Sequence, residues 1–196
     1  MDISLEFAGA TGRDVSDLLS DIGERVVEQA RARANNRALE QCRTFVRRAV
    51  SKETSASASL LNNRFRLYRA ALNKPTARLF IGTSPIRAYD LGIRQLRRGV
   101  SFGKGRSRTR ESSAFVATMR NKRKDGTISE HVGLFKREGK SRLPIKEVTV
   151  AVYPSARRAA DSYMATIATG VIEKNFRSDL QFRINREIDR RGLRLQ

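Results

Sequence analysis

The chain has 196 residues, of which 40 are Lys or Arg and 20 are Asp or Glu, leaving a formal net charge of +20. At 39% hydrophobic it can build a core, 7% aromatic keeps that core modest, and no stretch approaches the roughly 18 apolar residues of a membrane span. A single Cys and a single His exclude an internal disulfide framework and a Cys/His metal site, and lone Cys42 fits a small buried hydrophobe made in a reducing cytosol.

Residues 1–13 read as an N-terminal arm with a short extended stretch at 3–8, and MDISLEFAGA lacks the basic flank of a secretory signal. From Asp14 onward Val15, Leu18, Ile22, Val26, Ala30, Ala34, Ala38, Cys42, Phe45 and Ala49 recur at spacings of three and four. This predicts one helical face sustained for about ten turns, with a break possible at Asn35–Asn36. Asp14, Asp17, Asp21, Glu24 and Glu28 make the first half acidic, whereas Arg31, Arg33, Arg37, Arg43, Arg47 and Arg48 make the second half basic. The helix dipole accounts for that order, and docking of the acidic end on a neighbouring subunit's basic surface is the sharper reading. Leu60–Leu72 reads as a second helix ended by Lys74-Pro75, so 14–73 is expected to be a helical region.

The region 76–153 is expected to hold a sheet. Ala77–Ile81 and Tyr89–Ile93 read as short strands. Arg94, Arg97, Arg98, Lys104, Arg106, Arg108 and Arg110 follow with no acid among them, on a Gly-containing stretch read as a flexible basic loop over 94–113. Ala114–Met119 and Ser129–Phe135 are expected to pair across a basic turn at Asn121–Gly126. Lys136, Arg137, Lys140 and Arg142 lie in a second basic loop, which leads to a strand at Glu147–Tyr153 with Val148, Val150 and Val152 on one face. Pro154 stops that strand and Ser155 is placed to cap a helix over 155–190. Its apolar face runs through Ala160, Met164, Ile167, Val171, Ile172, Phe176, Leu180, Ile184 and Ile188, and Gly170 within it marks a kink or a close approach. The fold class is α+β, with long N- and C-terminal helices on a small, mostly antiparallel sheet in one domain over 1–196.

No catalytic, cofactor-binding or metal-binding constellation emerges. His131 is the only imidazole, so every Ser–His or Cys–His arrangement would have to use it, and its place beside Val132 in a strand points to a structural role. GVSFGKGRS departs from a phosphate loop: three residues separate Gly99 from Gly103, and Gly105 stands where Ser or Thr should follow the Lys. The charge calls for a polyanion or an acidic protein surface, with nucleic acid the first candidate, because Lys and Arg release counterions from phosphates.

The stretch GLFKREGKSRLPIKEVTVAVYP over 133–154, with Ala114-Phe115-Val116 before it, resembles the minor tail protein Z family, the tail-completion proteins of lambda-like bacteriophages. The likeness spans about residues 20–188; it is specific from Phe115 to Tyr153 and diffuse elsewhere, and it departs at the turn Lys122–Glu130 and at the N-terminal arm. It implies a non-enzymatic virion protein at the head-proximal end of a tail, assembled in the host cytoplasm. A hexameric homo-oligomeric ring is expected there, beside the tail terminator, the tail tube and the head–tail connector, with genomic double-stranded DNA passing and no membrane involved. In that setting the cations of 94–110 and of 136–142 are the candidate contacts to DNA or a partner, and the acids of 14–28 the candidate inter-subunit contacts. Two readings outside that one stay open: a basic nucleic-acid-binding module with no virion role, and a neck adaptor that meets only acidic protein neighbours.

Overall fold

A computed structural model describes residues 24–74, 76–82, 84–105, 108–122, 124–139 and 141–190. The N-terminal arm, Asp14, Asp17, Asp21, Arg106 and Lys140 lie outside the described residues. Of the described residues 48% are helical and 28% lie in small antiparallel sheets, the α+β mixture expected. The described residues divide into two compact units: one draws on 24–42, 67–79 and 163–190, the other on 43–66 and 80–162.

The first unit is mainly helical. Helix α1 (Glu24–Thr54) begins in it, and helix α4 (Ala168–Arg190) lies in it entirely. Ala30 of α1 is fully buried against Leu180, Ile184 and Ile188 of α4, with Val26, Val27 and Phe176 packed around them. Asn35–Asn36 does not interrupt α1. The Asn36 amide donates to the Ala70 carbonyl (3.0 Å) and accepts from the Ala70 N–H (2.7 Å), so a weak helix former is retained as a strap on the chain that returns at 67–79. Cys42 is buried as expected, and burial pushes its thiol pKa up.

Asp179 holds the polar seam of this unit. Arg183 donates to it from Nε at 2.7 Å and Arg33 from Nη1 at 3.2 Å, while its own side chain is 5% exposed. Burial pushes its pKa up, and the hydrogen bonds and charges of Arg183 and Arg33 outweigh this and hold it below the usual carboxylate range. Arg183 also donates from Nη1 to the Gln29 side-chain oxygen Oε1. Tyr163 donates to the Ala38 carbonyl at 3.1 Å.

The second unit holds most of the sheet. In α1 the buried face continues here through Val46 and Val50, both fully buried, where Phe45 and Ala49 were expected; Phe45 is 37% exposed. The expected helix Leu60–Leu72 is instead a short helix α2 (Ala58–Asn62) followed by strand β1 (Phe65–Tyr68). Asn62-Asn63 ends the helix, with the Arg64 N–H closing on Leu61, and β1 alternates buried and exposed positions. Strand β2 (Arg78–Ile81) pairs with β1. The expected strand at Tyr89–Ile93 is mostly a 3₁₀ turn, Ala88–Leu91, after strand β3 (Ile86–Arg87).

The basic segment 94–110 also differs from expectation. Three short strands, β4 (Ile93–Gln95), β5 (Val100–Phe102) and β6 (Thr109–Glu111), form an antiparallel meander over it. Buried Val100 and Phe102 anchor one side of it, so few apolar residues suffice.

The predicted hairpin is present and longer than expected. Strands β7 (Ala114–Lys122) and β8 (Ile128–Arg137) pair from Ala114↔Lys136 to Lys122↔Ile128. The strand expected over 147–153 is split into β9 (Ile145–Glu147), which pairs with β8, and β10 (Thr149–Val150), which pairs with β3. Val148 is the switch: its N–H donates to Leu134 (2.7 Å) and its carbonyl accepts from Ala88 (2.9 Å), so one extended run serves two sheets. Helix α3 (Tyr153–Thr166) starts two residues before Ser155. Pro154 sits in its first turn, where a missing N–H costs nothing, so the residue expected only to end the strand also opens the helix. A break at Ile167 separates α3 from α4, three residues before Gly170. A Cβ on Gly170 would meet nothing within 4 Å, which removes close packing as its reason. Met164 is 61% exposed, and Ala156, Ala159 and Tyr163 form the buried face instead.

Candidate functional site

The meander β4–β6 gathers cations that the sequence had only strung along a loop. Its glycines make turns: Gly92, Gly99 and Gly103 have φ of 83°, 78° and 106°. At Gly99 a Cβ would lie 2.2 Å from the Glu111 carbonyl oxygen and 2.5 Å from the Ser112 Cα, so only glycine fits the β4–β5 turn. The Leu96 N–H closes that turn on Gly99 (3.1 Å), and the Gly103 N–H reaches the Gly92 carbonyl (3.2 Å).

The register then sets which side chains share a face. Arg94 stands opposite Ser101, and Ser101 opposite Arg110, so this row crosses the sheet with two guanidiniums flanking a small hydroxyl. Arg108, two residues before Arg110, lies over the centre. It donates from Nη1 to the Gly103 carbonyl (2.7 Å), from Nη2 to the carbonyls of Ser101 (3.0 Å) and Gly92 (3.3 Å), and from Nε to Ser101 Oγ (3.3 Å). Its charge stays on this face while its N–H groups bind backbone. Arg94 and Arg110 are exposed and have no ion pair among the described residues. Ile93, Gln95, Val100, Phe102, Thr109 and Glu111 point to the opposite face.

The other predicted contacts separate. Arg97 and Arg98 are exposed in the β4–β5 turn, and Lys104 is exposed at the opposite end, beside a cleft also lined by Asp90 and Arg108. Lys136 and Arg137 fall on opposite faces of β8 by strand alternation. Lys136 faces Lys146 across the ladder, a repulsive pair relieved by Glu111 at 3.7 Å from Lys136 and Glu138 at 3.1 Å from Lys146. Arg137 lies over the Phe115 ring, 5.4 Å from its centroid, and Arg142 is exposed. Among the acids, Glu24 is the first residue of α1, and Glu28 is half-buried in the helical unit.

Sequence reasoning missed a polar chain through Asp90, Arg87, His131 and Glu147. Arg87 donates to Asp90 from Nε (2.9 Å) and Nη2 (3.0 Å), and from Nη1 to His131 Nδ1 (3.3 Å). Arginine only donates, so Nδ1 accepts, and Nε2–H donates to Glu147 Oε1 at 2.9 Å. Gly133 makes room, since a Cβ there would stand 2.8 Å from that oxygen. Both ring nitrogens are committed, and the chain ties β3, β8 and β9 together. No sequence signal pointed to it, because it depends on the switch at Val148 that puts β10 on β3 while β9 stays on β8. Among the described residues no group of His, Cys, Asp and Glu could hold a metal ion, and no helix is long and apolar enough to cross a membrane.

The family model of prophage minor tail protein Z matches residues 13–190, nearly the whole chain. The chain belongs to the minor tail protein Z family. No curated protein and no solved structure matches it significantly. Membership makes it a structural protein of a phage tail, located in the virion among other tail proteins.

Proposed function

We propose that this minor tail protein completes the head-proximal end of a phage tail, as a homo-oligomeric ring at the junction of the tail tube, terminator and head–tail connector, and contacts the genome end there. The observation that carries the reading is the set of exposed cations within the family match. Arg94, Arg97, Arg98, Lys104 and Arg110 are exposed and have no carboxylate partner among the described residues, so this part of the excess positive charge is displayed outward. Repeated around an axis, such subunits give a strongly positive potential suited to a phosphate backbone that passes without sequence readout. The acids of 14–28 supply the opposite charge for contacts between subunits.

One observation favours additional protein neighbours. On the β7–β8 hairpin Val116, Val132 and Ile128 share a face and are 39%, 39% and 66% exposed. Crosslinking of assembled virions through Arg94–Arg110 tests the reading. Adducts to DNA at the tail's head-proximal end are expected. Adducts to protein alone would favour the neck adaptor that never touches the genome.

A further inference from the structure

We infer that the face of β4–β6 bearing Arg94, Arg108 and Arg110 is a sequence-independent binding site for the phosphate backbone of duplex DNA, in which Arg94 and Arg110 touch phosphates and Arg108 positions them. This rests on the proposed genome contact and deepens it, by naming the site and the manner of binding.

Three features carry it. The first is convergence. The pairing Arg94↔Ser101↔Arg110 sets the Cα atoms of two arginines two strand spacings apart, about 10 Å, across a sheet only three residues long. Ser101 is the low point between them, 7% exposed beneath the Arg108 side chain. The second is freedom of donors. Arg94 and Arg110 are exposed, and neither meets a carboxylate among the described residues; the one acid of these strands, Glu111, points to the opposite face and lies 3.7 Å from Lys136. Their forked N–H groups therefore face outward, the arrangement that suits phosphate oxygens. The third is composition. The row itself carries no apolar side chain, whereas the apolar residues left exposed in this unit include Val116, Val132 and Ile128 on the β7–β8 hairpin. Arginine is enriched in protein interfaces too, but there it surrounds aromatic and apolar side chains at the centre, and this row has none, so it fits a phosphate backbone better than a protein partner.

Arg108 acts differently. Its guanidinium is spent on the carbonyls of Gly92, Ser101 and Gly103, which would otherwise turn negative dipoles toward the ligand. Ser101 Oγ in turn donates to the Arg94 carbonyl at 3.4 Å, linking the strut to the β4 strand that presents Arg94.

The test is titration of the full-length protein against a labelled 30-base-pair duplex of random sequence, at salt concentrations from about 50 to 300 mM. Arg94→Ala/Arg110→Ala is compared with Arg177→Ala/Arg186→Ala on α4, which removes the same charge from the helical unit. Each phosphate contact contributes about 0.9 to the slope of log K against log salt, so the face variant should lose about 1.8 in slope and about 60-fold in affinity at 0.1 M salt per bound subunit. The α4 variant should keep the wild-type slope. Arg108→Ala should weaken binding and also speed amide exchange at Gly103, whereas Arg108→Lys should restore neither. Equal losses in the two double variants would overturn the site, leaving only bulk charge. Unchanged duplex binding with lost binding to polyglutamate would overturn it in favour of an acidic protein partner. Incorporation into tails is scored separately. A face variant that enters tails but no longer binds the duplex supports the site, and a wild-type protein that binds the duplex but never enters tails contradicts the proposed function alone.

Discussion

Asp179→Ala isolates the polar seam of the helical unit. Asp179 accepts charge-assisted hydrogen bonds from Arg183 and Arg33, but the two do not weigh equally. The Arg33 side chain is 59% exposed, so solvent screens that pair and limits it to about 0–1 kcal/mol. Arg183 is 17% exposed, and a hydrogen bond to a charged group is worth about 1.5–3 kcal/mol. Breaking a fully buried pair costs about 3–5 kcal/mol, but Arg183 keeps Gln29 as a partner, so the low end applies. Together these give about 3 kcal/mol for Asp179→Ala and about 2 kcal/mol for Asp179→Asn, which retains one acceptor. The pH dependence gives a second handle. The folded-state pKa lies below the unfolded one, so the stabilisation is complete above the usual carboxylate range and is lost as pH falls through the depressed folded value. Urea unfolding followed by circular dichroism should show the full difference between wild type and Asp179→Asn at pH 7, shrinking below about pH 4. A difference under about 0.5 kcal/mol at pH 7, or one that stays constant down to pH 3, would refute the argument.

Three further outcomes are expected. Asn36→Ala leaves the Ala70 N–H and carbonyl without their side-chain partners and should cost about 2 kcal/mol by the same urea assay, with Asn36→Asp recovering part of it by still accepting from the N–H. Gly99→Ala forces a Cβ into the Glu111 and Ser112 backbone and should cost about 3 kcal/mol or more with faster amide exchange in β5, whereas Gly105→Ala, with φ of 53° and nothing within 4 Å, should cost only about 1 kcal/mol. Cys42 is 6% exposed and its thiol is pushed up by burial, so Ellman's reagent at pH 8 should react with it only after unfolding; reaction of the native protein at the rate of a free thiol would contradict its placement.

What could be read in advance was whatever rests on local pattern. The alternation in 114–119 and 129–135 predicted the hairpin because period-two burial and a basic Gly-containing turn agree with each other. The face Ala30, Ala34, Ala38 and Cys42 was legible for the same reason at helical spacing. What failed depends on partners distant in sequence. Leu60, Leu61, Phe65, Tyr68 and Leu72 suit a helix as well as a strand, and pairing with β2 decides for β1. Val148 divides a pattern that looks like one strand, because its N–H and carbonyl answer to different sheets. In the basic segment the glycines suggested a flexible loop, since nothing local reveals that Gly99 must clear the Glu111 backbone. The charge of the candidate site was visible from the start. Its arrangement was not, because the row Arg94, Ser101, Arg110 exists only once three strands are in register.

In the proposed function, copies of this tail protein close the head-proximal end of the tail with the β4–β6 face toward the genome. Cryo-electron microscopy of virions made with and without the protein tests it most directly. The expected result is a ring at the junction of tail and connector that disappears with the protein, with β4–β6 of each copy lining the axis beside DNA density. Density for the protein at the distal tip or along the tube, or an unchanged junction in its absence, would overturn this placement.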